Sequence, residues 1–196
     1  DEFLQKKFNT PVYTHLEAED YFKRKDGKPF DKSEFYTKPE LYNSNFGRFL
    51  PETDIYIPCH YWSSKSPFIV TAEDLKSPKL RLSVVADISC DIAGPIASTL
   101  RPSIISDPIY GFDPQTGEEV DFKTTGAIAV MAVDNLPCEL PLDASEDFGN
   151  ELLRHVLPAL LKDDPDAIIE RATETSKEGK LMPLYIYLQP FADGLE

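Results

Sequence analysis

Two apolar runs organise the hydrophobic pattern of this chain. Leu82-Ser83-Val84-Val85-Ala86 and Ala127-Ile128-Ala129-Val130-Met131-Ala132-Val133 are rich in β-branched side chains and carry no charge. Runs of this kind predict strands covered on both faces, over roughly Arg81–Ile88 and Ala127–Val133. Each ends abruptly in polar residues, Asp87-Ile88-Ser89-Cys90-Asp91 before Gly94-Pro95 in the first case and Asp134-Asn135-Leu136-Pro137 in the second. In an open α/β sheet, ligands bind just beyond the carboxyl ends of the strands. The residues by themselves favour a plainer reading, a strand followed by an Asx-type turn.

The rest of the pattern supplies the flanking elements. Asp54–Cys59 reads as a third strand, ending in His60-Tyr61-Trp62, and Thr71-Ala72-Glu73-Asp74 as a capped helix start that runs to about Lys76. A strand, a short helix and a strand within about 35 residues is the length of a βαβ unit in a parallel sheet. Ahead of it, Asp1–Phe8 reads as a helix end, Val12–His15 as a short strand, Leu16–Arg24 and Ser33–Tyr42 as helices. Ile109–Phe112 and Glu118–Phe122, joined by Asp113-Pro114-Gln115-Thr116-Gly117, predict a hairpin projecting from residues 102–126. Phe148, Leu152, Leu153, Val156, Leu157, Leu160 and Leu161 repeat at helical spacing, with Asp143 or Ser145 as the cap and Pro158 as a kink. Asp166–Ser176 reads as a final helix, and Leu181–Phe191 as weakly alternating and extended.

The fold class expected is α/β, a Rossmann-like parallel sheet with a hairpin insertion and C-terminal helices. The expected division is a dinucleotide-binding part over 1–141 and a helix and tail over 142–196. The chain opens on a helix end with no strand before it, which suggests a fragment lacking the first strand and its turn. Leu195-Glu196 has the look of a cloning remnant.

Charge and composition narrow the function. The net charge of -14 weighs against nucleic acid and anionic membranes as partners. Residues 1–50 carry nine basic and nine acidic groups, 51–101 five and six, and 102–196 six and nineteen, so the acidic excess lies in the second half. The 41% hydrophobic and 28% charged content suits a globular protein, and no apolar run reaches the roughly 20 residues of a membrane span. Asp1–Lys7 has no apolar stretch of the kind a secretory signal needs. Three single cysteines, Cys59, Cys90 and Cys138, suit a reducing compartment, and the expected location is the cytoplasm. With no CxxC spacing and three histidines, no metal site is expected. GxGxxG, P-loop and GxSxG motifs are all absent from these residues.

Ala86-Asp87-Ile88-Ser89-Cys90-Asp91-Ile92-Ala93-Gly94, followed by Val133-Asp134-Asn135-Leu136-Pro137-Cys138-Glu139-Leu140-Pro141-Leu142-Asp143-Ala144-Ser145-Glu146-Asp147-Phe148-Gly149, resembles the lysine-forming saccharopine dehydrogenases. More narrowly it is similar to the lysine-ketoglutarate reductase part of the bifunctional lysine-degrading enzyme, grouped with alanine dehydrogenase and the nicotinamide nucleotide transhydrogenases. The similarity runs from Tyr42 and Ile57–Trp62 to the tail. It implies two Rossmann-like domains with NAD or NADP and substrate meeting between them, and hydride transfer to an imine formed from an amino acid and a 2-oxo acid.

Carried over by position, the resemblance makes Asp91 the catalytic residue, beside the nicotinamide and the reacting carbon. Asn135 and Leu136 fall on the nicotinamide end of the cofactor, and Ser89, His60 and Tyr61 on the cofactor rim. Glu17 lies near the place of a ribose-binding acid. The helix over Phe148–Leu161 would return toward the substrate domain. Cys90 stands where relatives have Ala, and Ile92 and Ala93 where they often have Thr and a small residue. The family's acid–base Lys and His, like its glycine-rich phosphate turn, would precede residue 1. The implied partners are therefore an amino-acid or 2-oxo-acid substrate and a missing N-terminal region of the same protein, with homo-oligomerisation open. The isolated chain is expected to bind cofactor poorly and not to turn over. Two alternatives stand beside this: a non-catalytic binding or regulatory relative, and an alanine-dehydrogenase-like amino-acid dehydrogenase.

Overall fold

The computed structural model describes residues 8–195, so the helix end expected over Asp1–Phe8 falls, but for Phe8, outside the described residues, as does Glu196. The chain divides into two compact units, Asp1–Leu136 and Pro137–Glu196.

In the first unit, helix α1 (Ala18–Tyr21) runs straight into strand β1 (Phe22–Arg24). The longer helix expected over Leu16–Arg24 stops at Tyr21 because the backbone turns extended at Phe22 to pair residues 22–24 with 42–44, and Tyr21 and Phe22 are both buried. Val12–His15 forms no strand: Tyr13 is 92% exposed and pairs with nothing in a sheet. Helix α2 (Lys32–Thr37) is capped by Asp31, whose carboxylate accepts from the Glu34 amide at 2.7 Å. Strand β2 (Tyr42–Ser44) then pairs antiparallel with β1. The Tyr42 hydroxyl donates to Glu34 at 2.8 Å, and Glu34 is also paired with Arg24, so this small sheet is tied to α2 through a part-buried network.

The main sheet follows. Strand β3 (Ile55–Tyr56), helix α3 (Ala72–Leu75) and strand β4 (Val84–Ala86) make the expected strand–helix–strand unit. Thr71 and Asp74 form a reciprocal capping box at the start of α3, which fixes where that short helix begins. Strands β5 (Ile109–Phe112), β6 (Glu119–Val120) and β7 (Ile128–Met131) complete the sheet, in the order β3-β4-β7-β5-β6. The pairs β3–β4 and β4–β7 are parallel; β7–β5 and β5–β6 are antiparallel. The 109–120 hairpin thus adds to the sheet through β5 and does not project from it. Val85, Val130, Ile128 and Phe112 sit in one core with Phe22, Tyr42, Leu75 and Ile96.

A 3-10 turn (Leu136–Glu139) begins at the last residue of the first unit, and in the second unit helix α4 (Pro141–Glu151) follows it. The start lies ahead of the expected caps at Asp143 and Ser145, because Pro141 occupies the first turn, where its fixed φ and missing N–H cost nothing. A π-helical turn over Leu152–Val156 precedes helix α5 (Leu157–Leu161), with the Leu157 amide bonding back to Leu152. Pro158 explains it: the ring cannot donate to the Arg154 carbonyl, and the ladder widens just before it. Helix α6 (Ile168–Ala172) is held at its start by Asp164, which accepts from the amides of Ile168, Ile169 and Glu170 at 2.7, 2.8 and 3.2 Å. The tail is not extended. Pro183–Leu188 is a 3-10 helix continuing into helix α7 (Gln189–Ala192). Among the described residues, no side chain of this unit is buried, and no helix of the chain is long and apolar enough to cross a membrane.

Candidate functional site

Three parallel strands end on one edge of the sheet. The register pairs Ala86 with Met131 and Tyr56 with Val85, so the segments beginning at Ile57, Asp87 and Ala132 leave the sheet side by side. Backbone bonds knit those segments together: the Asp87 amide donates to Met131 O at 2.7 Å, and the Ile88 amide to Pro58 O at 3.0 Å. Ser103 closes the far side, accepting through Oγ from the Ala132 amide at 2.9 Å while its own amide donates to Ala132 O. Asp91 and Asn135 therefore lie beyond the same strand ends, as the carboxyl-end rule requires.

The first residue beyond β4 carries the most elaborate bonding. Asp87 is wholly buried. Its Oδ1 accepts from the Ser89 amide (3.0 Å), the Ser89 hydroxyl (2.6 Å) and the Cys90 amide (3.1 Å), and its Oδ2 from the Thr99 hydroxyl (2.6 Å). A buried carboxylate is tolerable only with such complete pairing. The loop it gathers is tightly wound: Cys90 and Ala93 both have φ near +52°, in the left-handed region. Gly94 then closes on Asp91, its amide donating to Asp91 O at 3.1 Å. A Cβ on Gly94 would come within 2.6 Å of that carbonyl and 2.8 Å of the Asp91 Cβ, so only glycine fits.

Electrostatics set these groups apart from ordinary surface carboxylates. Partial burial pushes the Asp91 carboxyl above its usual range; His60 pulls it down and the Asp87 charge raises it further. Burial pushes the His60 imidazole below its usual value, against the opposing pull of Asp87 and Asp91. Among the described residues, Nε2 of His60 is buried with no hydrogen-bond partner. The Cys90 thiol is pushed up, by burial first and then by the charges of Asp87, Asp134 and Asp91. His60, Asp87 and Asp91 thus feel one another around a single edge, and Cys90 feels the charge of Asp134 from the next segment.

The remaining expected residues are placed less tightly. Ser89 is half-buried, but its hydroxyl hydrogen is committed to Asp87, leaving its lone pairs for a ligand. Tyr61 is 85% exposed. Asn135 is exposed and Leu136 half-buried at the end of the β7 segment. Among the described residues, no three His, Cys, Asp or Glu side chains gather as a metal site would. The segments 57–62, 87–95 and 132–136 contain three aspartates and no lysine or arginine. Their side chains offer carboxylate acceptors, an amide and an imidazole with no Lys or Arg, a set that suits a neutral or cationic group and not a phosphate. The unpartnered Nε2 of His60 offers such a group a hydrogen-bonding position.

Nothing in the sequence singles out Thr99 or Ser103, or separates Asp87 from the other acids that follow the strands. The signal for Thr99 and Ser103 was a pair of hydroxyl residues in a Pro-rich segment between strands, too common a feature to read.

No family model matches the chain. Curated proteins do. It is 33% identical to alpha-aminoadipic semialdehyde synthase of Arabidopsis thaliana, over 88% of this chain and 17% of that protein. It is 27% identical to mitochondrial alpha-aminoadipic semialdehyde synthase of Mus musculus, over 98% of this chain and 23% of that protein. It is 33% identical to saccharopine dehydrogenase [NAD(+), L-lysine-forming] of Schizosaccharomyces pombe, over 73% of this chain and 37% of that protein. Among solved structures, an L-alanine dehydrogenase aligns with a TM-score of 0.47 and 20% identity, over 74% of this chain and 38% of that one. The chain spans between about one sixth and two fifths of the curated relatives named here. By sequence, the chain is a homologue of the aminoadipic semialdehyde synthases and the lysine-forming saccharopine dehydrogenases, matched over one stretch of each.

Proposed function

We propose that this chain forms part of an NAD(P)-dependent oxidoreductase acting on a C–N bond, of the lysine-forming saccharopine dehydrogenase or lysine-ketoglutarate reductase type. One observation carries the reading: the carboxyl ends of β3, β4 and β7 share an edge, and His60, Asp91 and the Asp134–Asn135 pair lie on the three segments that leave it. The homology to the enzymes named above supplies the reaction class.

When bound, NAD(P) gives or takes the hydride. The work of the chain is positional and electrostatic. Asp91 sets a carboxylate beside the nitrogen of the imine or amine, where positive charge is held in the substrate. Its partial burial, which resists ionisation in the free protein, strengthens that attraction once a cationic nitrogen is in place. His60 keeps a neutral ring with Nε2 available to a ligand hydrogen-bond donor or acceptor. Asn135 offers its side-chain amide to the carboxamide of the nicotinamide. Leu136 lines the same position with apolar surface.

The test is the absorbance of NAD(P)H in the protein that carries this chain, with lysine and 2-oxoglutarate in one direction and saccharopine in the other. Wild type is expected to turn over. Asp91→Asn is expected to lower kcat by about a hundred-fold or more while changing cofactor affinity little. Equal rates for the two would remove Asp91 from the mechanism. No turnover with cofactor still bound would favour a non-catalytic relative.

A further inference from the structure

Asp91 stands on a loop that one other residue grips from both sides. On the near flank, Asp87 draws in the amides of Ser89 and Cys90, and the Thr99 hydroxyl donates to the other oxygen of Asp87 at 2.6 Å. On the far flank, the Ala93 amide donates to Thr99 O at 3.4 Å. Thr99 is 1% exposed and Asp87 0%. Its own segment is anchored in turn, since the Tyr110 hydroxyl donates to Ser98 O and accepts from the Leu100 amide, both at 2.9 Å. The two left-handed residues, Cys90 and Ala93, lie on either side of Asp91, so the loop that carries it is wound against backbone preference at both and must be restrained from outside.

We propose that Asp87 and Thr99 act together as positioning residues for Asp91, with Thr99 joining the two flanks of the loop through its hydroxyl and its carbonyl. Asp87 makes no contact with a ligand in this arrangement; its carboxylate is consumed by the loop. The half-exposed second aspartate of the Asp87-Ile88-Ser89-Cys90-Asp91 run is the one presented at the edge. The inference rests on the role proposed for Asp91, but its test does not read turnover, so failure of the dehydrogenase reading and failure of this one are separate results.

The measurement is made on the whole chain by NMR. It follows the titration of the labelled Asp91 carboxyl, which His60 and Asp87 face, and amide exchange at Ser89, Cys90 and Ala93. Thr99→Val keeps the shape and removes the hydroxyl. It is expected to bring the Asp91 midpoint down by about half a pH unit or more, as the loosened loop admits water, and to speed exchange at the three amides about ten-fold. Thr99→Ser restores the hydroxyl and is expected to behave as wild type. Val130→Ala, a core variant remote in sequence from the loop, is expected to lower stability without moving the Asp91 midpoint. If Thr99→Val does not fold, Thr99→Ala takes its place with the same expectation. An unchanged Asp91 titration in the folded hydroxyl-less variant overturns the proposal. So does a failure of Thr99→Ser to restore it, or an equal shift in Val130→Ala.

Discussion

In the first unit Val85 and Val130 are fully buried and Phe112 is 2% exposed; in the second, Leu153, Leu160 and Leu161 are 65%, 55% and 78% exposed. Both sets come from stretches whose apolar spacing is regular. The difference lies in what faces them. A strand of the sheet pairs through its backbone and projects its side chains from the two faces, and here other elements pack on them, so Val85, Val130 and Phe112 are covered. A helix satisfies its own backbone, and its apolar stripe gains cover only where another element is packed against it. Periodicity of either kind therefore reports which side chains favour cover, and only packing against another element supplies it. The polar groups follow the same division. Asp87 is sustained by four donors in the first unit, while Asp164 in the second caps a helix from a half-exposed position.

That contrast can be broken or sharpened by substitution, taken here from the largest expected effect down. Phe112→Ala removes a core ring beside β7 and is expected to cost about 3–5 kcal/mol in denaturant unfolding. A loss below about 1 kcal/mol would mean that the first unit is far more loosely packed than its burial suggests. Gly111→Ala would place a Cβ within 2.7 Å of Asp121 O and 2.8 Å of Val120 O, all backbone that cannot rotate aside. A cost of about 2 kcal/mol is expected, with the β5–β6 pairing opened first in amide exchange. Tyr110→Phe leaves the Leu100 amide without its acceptor and Ser98 O without its donor, for about 1–2 kcal/mol in thermal unfolding.

The pH dependence is a smaller effect. Burial holds His60 below its ordinary 6.5, so as pH falls the unfolded chain takes up this proton before the folded one. The His60 contribution to stability is therefore whole above about pH 6.5 and declines below it, by less than about 1.4 kcal/mol per pH unit. His60→Asn is expected to flatten that part of the stability profile. Asp91 works in the opposite sense at lower pH: its raised value makes the folded chain the tighter proton binder between the ordinary 3.8 and its own midpoint. Smallest of all, Leu153→Ala and Leu161→Ala in the second unit should each change stability by no more than about 0.5 kcal/mol. A core-sized loss at either would show that this helix face is covered in solution, and the contrast between the units would disappear.

Much of the sheet was legible in advance because β-branched apolar runs ended by acids and glycine have few other uses. The positions of β4 and β7, the α3 cap and the hairpin turn all followed from such local chemistry. Elements that depend on a distant partner did not. Val12–His15 has strand-forming residues and nothing to pair with. Leu181–Phe191 alternates Tyr185 with Tyr187, but Pro183 opens a 3-10 turn whose period of three overrides the alternation.

What the sequence determined by itself was local: where the apolar runs lie, where prolines and glycines stop them, and that acids follow the strands. Only the tertiary structure decided that Asp87 turns inward and Asp91 outward, that Thr99 bridges the loop between them, and that the hairpin joins the sheet through β5. The physical reason is that an identical aspartate can be a buried acceptor or an exposed charge. Which one it becomes depends on donors that lie up to 12 residues away in the chain and between 2.6 and 3.1 Å away in space.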